Sequence, residues 1–150
     1  MDTTIPQWPT RFGPLIGYCR RQMIHQMDLR LREYDISPIQ SHVLIYLCRT
    51  EGQVNQKNLE QFLMVRPSTV NGIVCRLEEK GLLERTPSPT DARCRIMQIT
   101  EKGRQYAGRF REILQEVSVQ MERGFTEEEL EIMRSYLIRM AKNLRGEEEQ

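Results

Sequence analysis

The chain has 150 residues, 29% of them charged and 39% hydrophobic, with a formal net charge of +1. That length suits one domain with a real core, and the composition excludes a disordered chain. Near-neutrality neither favours nor excludes a nucleic-acid partner, because what matters is where the charge sits. The longest apolar run, Val43 to Cys48, falls far short of the ~20 residues that span a bilayer. The first ten residues lack the basic and apolar regions of a secretory signal, so a cytoplasmic protein with no membrane partner is expected. Cys19, Cys48, Cys75 and Cys94 include no CxxC pair, and His25 and His42 are the only histidines. A zinc framework is not expected on that spacing, free thiols are expected, and neither metal nor cofactor is predicted.

In chain order, Phe12, Leu15, Ile16, Cys19, Met23, Met27 and Leu31 recur at three- and four-residue steps and predict a helix over 12–34. Ser37-Pro38 is a start signal, a capping hydroxyl followed by proline at the first helical position. The second helix carries Ile39, Val43, Leu44 and Leu47 inward and fades by Glu51-Gly52. Asn55 caps a short third helix with Leu59, Phe62 and Leu63 inward. Pro67 opens a fourth helix that stops at Gly81, in the C-terminal glycine position. Residues 82–85 and 94–99 read as two short strands around a proline-bearing loop, forming a β-hairpin. Thr100 caps a fifth helix with Tyr106, Phe110, Ile113, Leu114, Val117 and Met121 inward. Thr126 and Glu129 form a capping box, and Phe125 and Leu130 are spaced for a hydrophobic staple. The sixth helix aligns Leu130, Met133, Leu137, Met140 and Leu144.

This order gives a mostly α fold with a two- or three-stranded β-wing. A winged helix-turn-helix occupies 37–100, and helices at 11–34 and 101–145 flank it within a single domain, 1–150. Val70, Ile73, Val74 and Leu77 sit at i, i+3, i+4 and i+7, a narrow buried stripe on the fourth helix. The opposite face carries Ser68, Asn71, Gly72, Cys75 and Glu79, with Thr69 and Arg76 on its flanks. Small hydroxyl, amide and guanidinium groups on an exposed helix suit a major groove, where they reach base edges or phosphates without steric block. Gly72 costs the helix ~1 kcal/mol against alanine. Close approach of the backbone to DNA explains it; packing against the third helix is the competing explanation. Arg66 precedes the helix. Arg93 and Arg95 lie by the hairpin turn, where arginine can enter a minor groove, and Asp91 is placed to orient Arg93. A merely solvated charged surface remains the alternative for both elements.

The run RPSTVNGIVCRLEEKGLLERTPSPTDARCRIMQITEKG, residues 66–103, resembles the recognition helix and wing of the MarR family of bacterial transcriptional regulators. Matching elements are Pro-Ser-Thr-Val at 67–70, Arg-Leu-Glu-Glu-Lys-Gly at 76–81, Asp91-x-Arg93 and Ile-Thr-Glu-Lys-Gly at 99–103; DISPIQSHVLIYL at 35–47 also resembles the family's second helix. The resemblance implies a homodimer built by the first, fifth and sixth helices, on a pseudo-palindromic duplex, with recognition helices in major grooves and Arg93 in the minor groove. It also implies a repressor released by a small aromatic effector bound between the DNA-binding lobe and the dimer helices. Met23, Met27, Tyr34, Tyr46 and Phe110 are then the pocket candidates, against the plainer reading that they are core. Cys19 lies about two turns too far along to match the family's peroxide-sensing cysteine, and the fifth helix lacks the histidines of its zinc-sensing branch.

Two alternatives remain open. One is a thiol-responsive regulator using Cys75 or Cys94, both in DNA-facing elements. The other is a winged-helix protein-interaction module. An enzyme is not expected, because there is no glycine-rich phosphate loop and no nucleophile–base pair.

Overall fold

A computed structural model describes residues 11–90 and 93–146. It contains α1 (Phe12–Leu31), a 3₁₀ turn (Arg32–Tyr34), α2 (Pro38–Arg49), β1 (Val54–Asn55), α3 (Gln56–Leu63) and α4 (Pro67–Glu79). These are followed by β2 (Leu83–Pro87), β3 (Arg95–Ile99), α5 (Glu101–Glu122) and α6 (Glu127–Arg145). The sequence reads as a single domain; the described residues cluster into two compact units that divide after Val117, within α5. Among the described residues, no helix is long and apolar enough to cross a membrane.

The first unit holds the core. Met27, Leu31, Leu44, Leu59, Val70, Leu77, Phe110 and Ile113 are fully buried there. All four residues of the stripe predicted on α4 are buried. The strands form one antiparallel sheet in the order β1-β3-β2, with Val54 opposite Met97 and Leu83 opposite Ile99. β1 has two residues, and only Val54 between Gly52 and Asn55 announces it.

Local chemistry explains where the elements begin. The Gln40 N–H donates to Ser37 Oγ at 3.4 Å, and the Ser37 N–H donates to Gln40 Oε1 at 2.9 Å, a reciprocal box at the start of α2. Asn55 and Asn58 form the same arrangement at α3. The Gly103 N–H donates to Thr100 Oγ1 at 3.0 Å at the start of α5.

The ends differ from the sequence reading in instructive ways. The first helix was expected to 34, but α1 stops at Leu31 and tightens into the 3₁₀ turn. Asp35 then takes a left-handed conformation, φ 52°, and returns its N–H to Arg32 O. Aspartate tolerates that region, so no glycine marks the break. Leu82 does not open the strand. Its N–H bonds Leu77 O and the Gly81 N–H bonds Glu78 O, both at 2.9 Å, with Gly81 at φ 66°. Leu82 therefore completes a Schellman cap on α4, and β2 starts one residue later and runs to Pro87. Proline is tolerated there because β2 is an edge strand.

Several predicted inward positions face outward. Phe62 is 44% exposed and stacks flat on Tyr46, with centroids 4.2 Å apart. On α1 the stripe is buried only from Met27; Phe12, Leu15 and Ile16 are exposed, as is Cys19.

The second unit is the end of α5 with α6. The Glu129 N–H donates to Thr126 Oγ1 at 3.2 Å, and the Thr126 N–H donates to Glu129 Oε2 at 2.8 Å, so the predicted capping box forms. No residue of α6 is buried. Met133, Leu137 and Leu144 on its stripe are exposed, and so is Met121, which was expected inward.

Candidate nucleic-acid interface

With Val70, Ile73, Val74 and Leu77 turned into the core, Ser68, Thr69, Asn71, Gly72 and Arg76 face solvent and Cys75 is half-buried. Arg66, at the N-cap of α4, is exposed, and so are Arg93 and Arg95 beside the hairpin turn. The structure thus puts the sequence-predicted contact residues on two exposed elements, α4 and the hairpin. Asp91, expected to orient Arg93, lies outside the described residues.

A methyl group added at Gly72 would meet nothing within 4 Å. Packing against α3 therefore does not require the glycine, and that explanation is removed. Gly103 is the opposite case. A Cβ there would stand 2.0 Å from Leu82 O and 2.7 Å from Ile99 Cγ1. Helix α5 starts against the backbone that caps α4, and only glycine allows that approach.

Two ionic contacts hold α4 in place, and the sequence reading found neither. The first lies along the side of α4 that meets the wing. Arg85 of β2 donates from Nε and Nη2 to Glu78 Oε2 at 3.0 and 2.7 Å, from Nη1 to Asn71 Oδ1 at 3.1 Å and from Nη2 to Cys75 Sγ at 3.1 Å. The hydrogen bond from Arg85 holds the Glu78 carboxyl below the usual range, and Glu78 foremost, then Cys75, raise the pKa of Arg85. The second contact is at the C-terminal end. Lys80 Nζ donates to Asp35 O at 2.7 Å and pairs with the Asp35 carboxylate, whose pKa is lowered by that hydrogen bond. Lys102 Nζ donates to Lys80 O at 3.0 Å, and Thr100 Oγ1 donates to Gly81 O at 2.8 Å. Arg85 and Lys80 are thereby committed within the protein.

A cleft of about 630 Å³ opens between α1, α2, α3 and α5. Met23, Ile45, Phe62 and Leu114 give it apolar walls, Tyr46 and His42 line it, and Arg20 and Arg49 add positive charge. Burial lowers the pKa of His42. Of the five residues expected at a pocket, the structure brings Met23 and Tyr46 to this cleft and not the other three. Met27 and Phe110 are fully buried in the core. Tyr34 packs edge-on against Tyr106 and Phe110, at 5.7 and 5.3 Å between centroids, and its hydroxyl accepts from Arg109 Nε at 3.3 Å. Among the described residues, no group of three or more histidine, cysteine or acidic side chains is placed to hold a metal ion.

The fold agrees with what the chain resembles. The MarR family model matches residues 34–93. The chain is 30% identical over 108 residues to the uncharacterised HTH-type transcriptional regulator YdcH of Bacillus subtilis, across 65% of this chain and 73% of that protein. The chain belongs to the MarR family. It is also 29% identical over 105 residues to the HTH-type transcriptional repressor IacR of Pseudomonas putida, across 70% of this chain. That match spans 62% of the repressor's length. Among solved structures, the DNA complex of MepR from S. aureus superposes with a TM-score of 0.82 at 26% identity, over 89% of this chain and 98% of MepR. Both curated relatives carry the names of HTH-type transcriptional regulators.

Proposed function

We infer that this MarR-family chain is a cytoplasmic, sequence-specific DNA-binding repressor that works as a homodimer and is released by a small aromatic anion. The observation that carries the reading is the two-sided character of α4. Its apolar stripe is locked into the core, and the face left outside carries Ser68, Thr69, Asn71, Gly72 and Arg76, short polar groups and one long cation. Such a face enters a major groove and reaches base edges. Arg93 and Arg95 on the hairpin supply cations for the adjacent minor groove and backbone. MepR, similar over nearly all its length, has been solved on DNA, and IacR is named a repressor.

The homodimer rests on apolar surface that the single chain leaves bare. Phe12, Leu15 and Ile16 on α1, and Met133, Leu137 and Leu144 on α6, are 40–90% exposed. A second copy is the partner that buries such stripes in a symmetric way. Two-fold symmetry then sets pseudo-palindromic half-sites about one helical turn apart.

The effector reading rests on the cleft beside α2. Its volume suits a drug-sized ligand, its walls include the stacked pair Tyr46 and Phe62, and Arg20 and Arg49 complement a carboxylate or phenolate. Selection of bound duplexes from a random pool tests the function, repeated with salicylate-like acids and with peroxide. A palindrome that is enriched, then lost on adding the acid, is expected. Failure to enrich any sequence refutes DNA recognition, and a palindrome indifferent to the acids refutes the effector.

A second trigger has one observation behind it. Cys75 Sγ sits 3.1 Å from Arg85 Nη2 in the contact that ties the wing to α4. Oxidation there would enlarge the sulfur group against Arg85 and remove the thiol donor that faces Asn71, and loss of DNA binding by peroxide, restored by a thiol reductant, is its signature. Cys94 is half-buried beside β3.

A further inference from the structure

We propose that Arg85 decides which end of Asn71 is offered to DNA, and so makes Asn71 a reader of guanine rather than adenine. This rests on the reading of α4 as the recognition helix, and deepens it. Asn71, Cys75 and Glu78 fall at i, i+4 and i+7, one line along α4. Arg85 lies along that line from β2, bonded to all three.

A guanidinium has donors only, so the group it meets on Asn71 must be the carbonyl end. Nη1 donates to Oδ1 at 3.1 Å. The Cys75 thiol, one helical turn further on, points its Sγ at the same oxygen at 3.8 Å. An amide oxygen has two lone pairs, and two protein donors therefore occupy it. Among the described residues the amide nitrogen of Asn71 has no partner, and the residue is exposed. Asn71 therefore presents hydrogen-bond donors outward and keeps its acceptor inside.

That orientation has a chemical consequence. An asparagine with both ends available pairs bidentately with adenine, giving a donor to N7 and an acceptor to N6–H₂. An asparagine showing only its NH₂ group cannot satisfy adenine N6–H₂. It suits guanine, whose O6 and N7 both accept. Arg85 is kept in place by Glu78, which accepts from its Nε, its Nη2 and its backbone N–H. The pair is thus a positioning device that acts on base readout through Asn71, without touching DNA itself.

The test compares duplexes selected by the wild-type chain, Asn71→Ala, Arg85→Ala and Arg85→Met. The base pair whose preference disappears in Asn71→Ala is the one that Asn71 reads. At that pair the wild type is expected to prefer guanine over adenine. In Arg85→Ala the freed carbonyl should move the guanine-to-adenine ratio of Kd values toward adenine by about tenfold. Arg85→Met keeps the packed stem without donors and should behave the same way. Adenine at the Asn71-dependent pair in the wild type overturns the proposal, and needs no variant to fold. An unchanged ratio in a folded Arg85 variant also overturns it. So does a selection that succeeds while no position depends on Asn71, and that outcome leaves the DNA-binding function standing. A wild-type selection that enriches nothing refutes that function and this proposal together.

Discussion

Gly72→Ala separates what the fold needs at that position from what a partner needs. The added methyl meets nothing within 4 Å and lies on an exposed helix interior, so packing gives no penalty. Alanine exceeds glycine by about 1 kcal/mol in such a position. For a chain of this length that raises Tm by about 2–4 °C. DNA affinity should move the other way. If the backbone of α4 rests against the duplex at Gly72, a methyl in that contact costs about 1–3 kcal/mol. That corresponds to a rise in Kd of about five- to 150-fold, by the rule of about 1.4 kcal/mol per decade. Thermal denaturation and fluorescence anisotropy on the selected duplex read the two quantities. Gly108→Ala is the control: its methyl also meets nothing within 4 Å, and it lies on α5 rather than on α4. It should raise Tm without weakening binding. A lower Tm for Gly72→Ala, or equal DNA affinity for both variants, would refute the reasoning.

Gly103→Ala should destabilise by at least about 1–3 kcal/mol, because the new carbon would stand 2.0 Å from a backbone oxygen; chemical denaturation checks it, and wild-type stability would contradict the close approach. His42 has a folded-state pKa lowered by burial, so the unfolded chain binds the proton more readily. Its contribution to stability is complete above the unfolded value of about 6.5 and is lost as pH falls below it. His42→Gln should flatten the stability profile below about pH 6.5, and an unchanged profile would show that His42 is not the titrating group. Leu137→Arg puts a charge into the exposed apolar stripe of α6 and should shift sedimentation from dimer to monomer; a variant still dimeric at micromolar concentration would place the interface elsewhere.

The elements most legible in the sequence were those with a local chemical signature. Ser37-Pro38, Asn55, Thr100 and Thr126 each announced a helix start, because capping is decided within four residues. The buried stripe of α4 was legible for the same reason, since a 3.6-residue period sorts its faces without tertiary information. What escaped depended on contacts between elements. Arg85 and Glu78 read as ordinary surface charges, and nothing in their seven-residue separation shows that a Schellman turn folds the strand back along the helix. Phe62 read as core from its spacing, but it lies on the rim of α3 and finds Tyr46 instead. The pocket prediction took aromatic and methionine residues at helical spacing. Met27 and Phe110 are the core that such spacing most often marks, whereas His42, Arg20 and Arg49 carry the polar character of the cleft. The break at Asp35 was hidden because aspartate, not glycine, takes the left-handed turn.

The central claim is that the exposed face of α4 and the arginine hairpin together read DNA. The most direct measurement is the affinity of the Asn71→Ala/Arg76→Ala/Arg93→Ala chain for the selected duplex, with its fold checked by circular dichroism. A loss of at least about a hundredfold is predicted, because each base-edge contact contributes about 1–3 kcal/mol of discrimination. A folded triple variant that binds the duplex as tightly as the wild type would contradict the account.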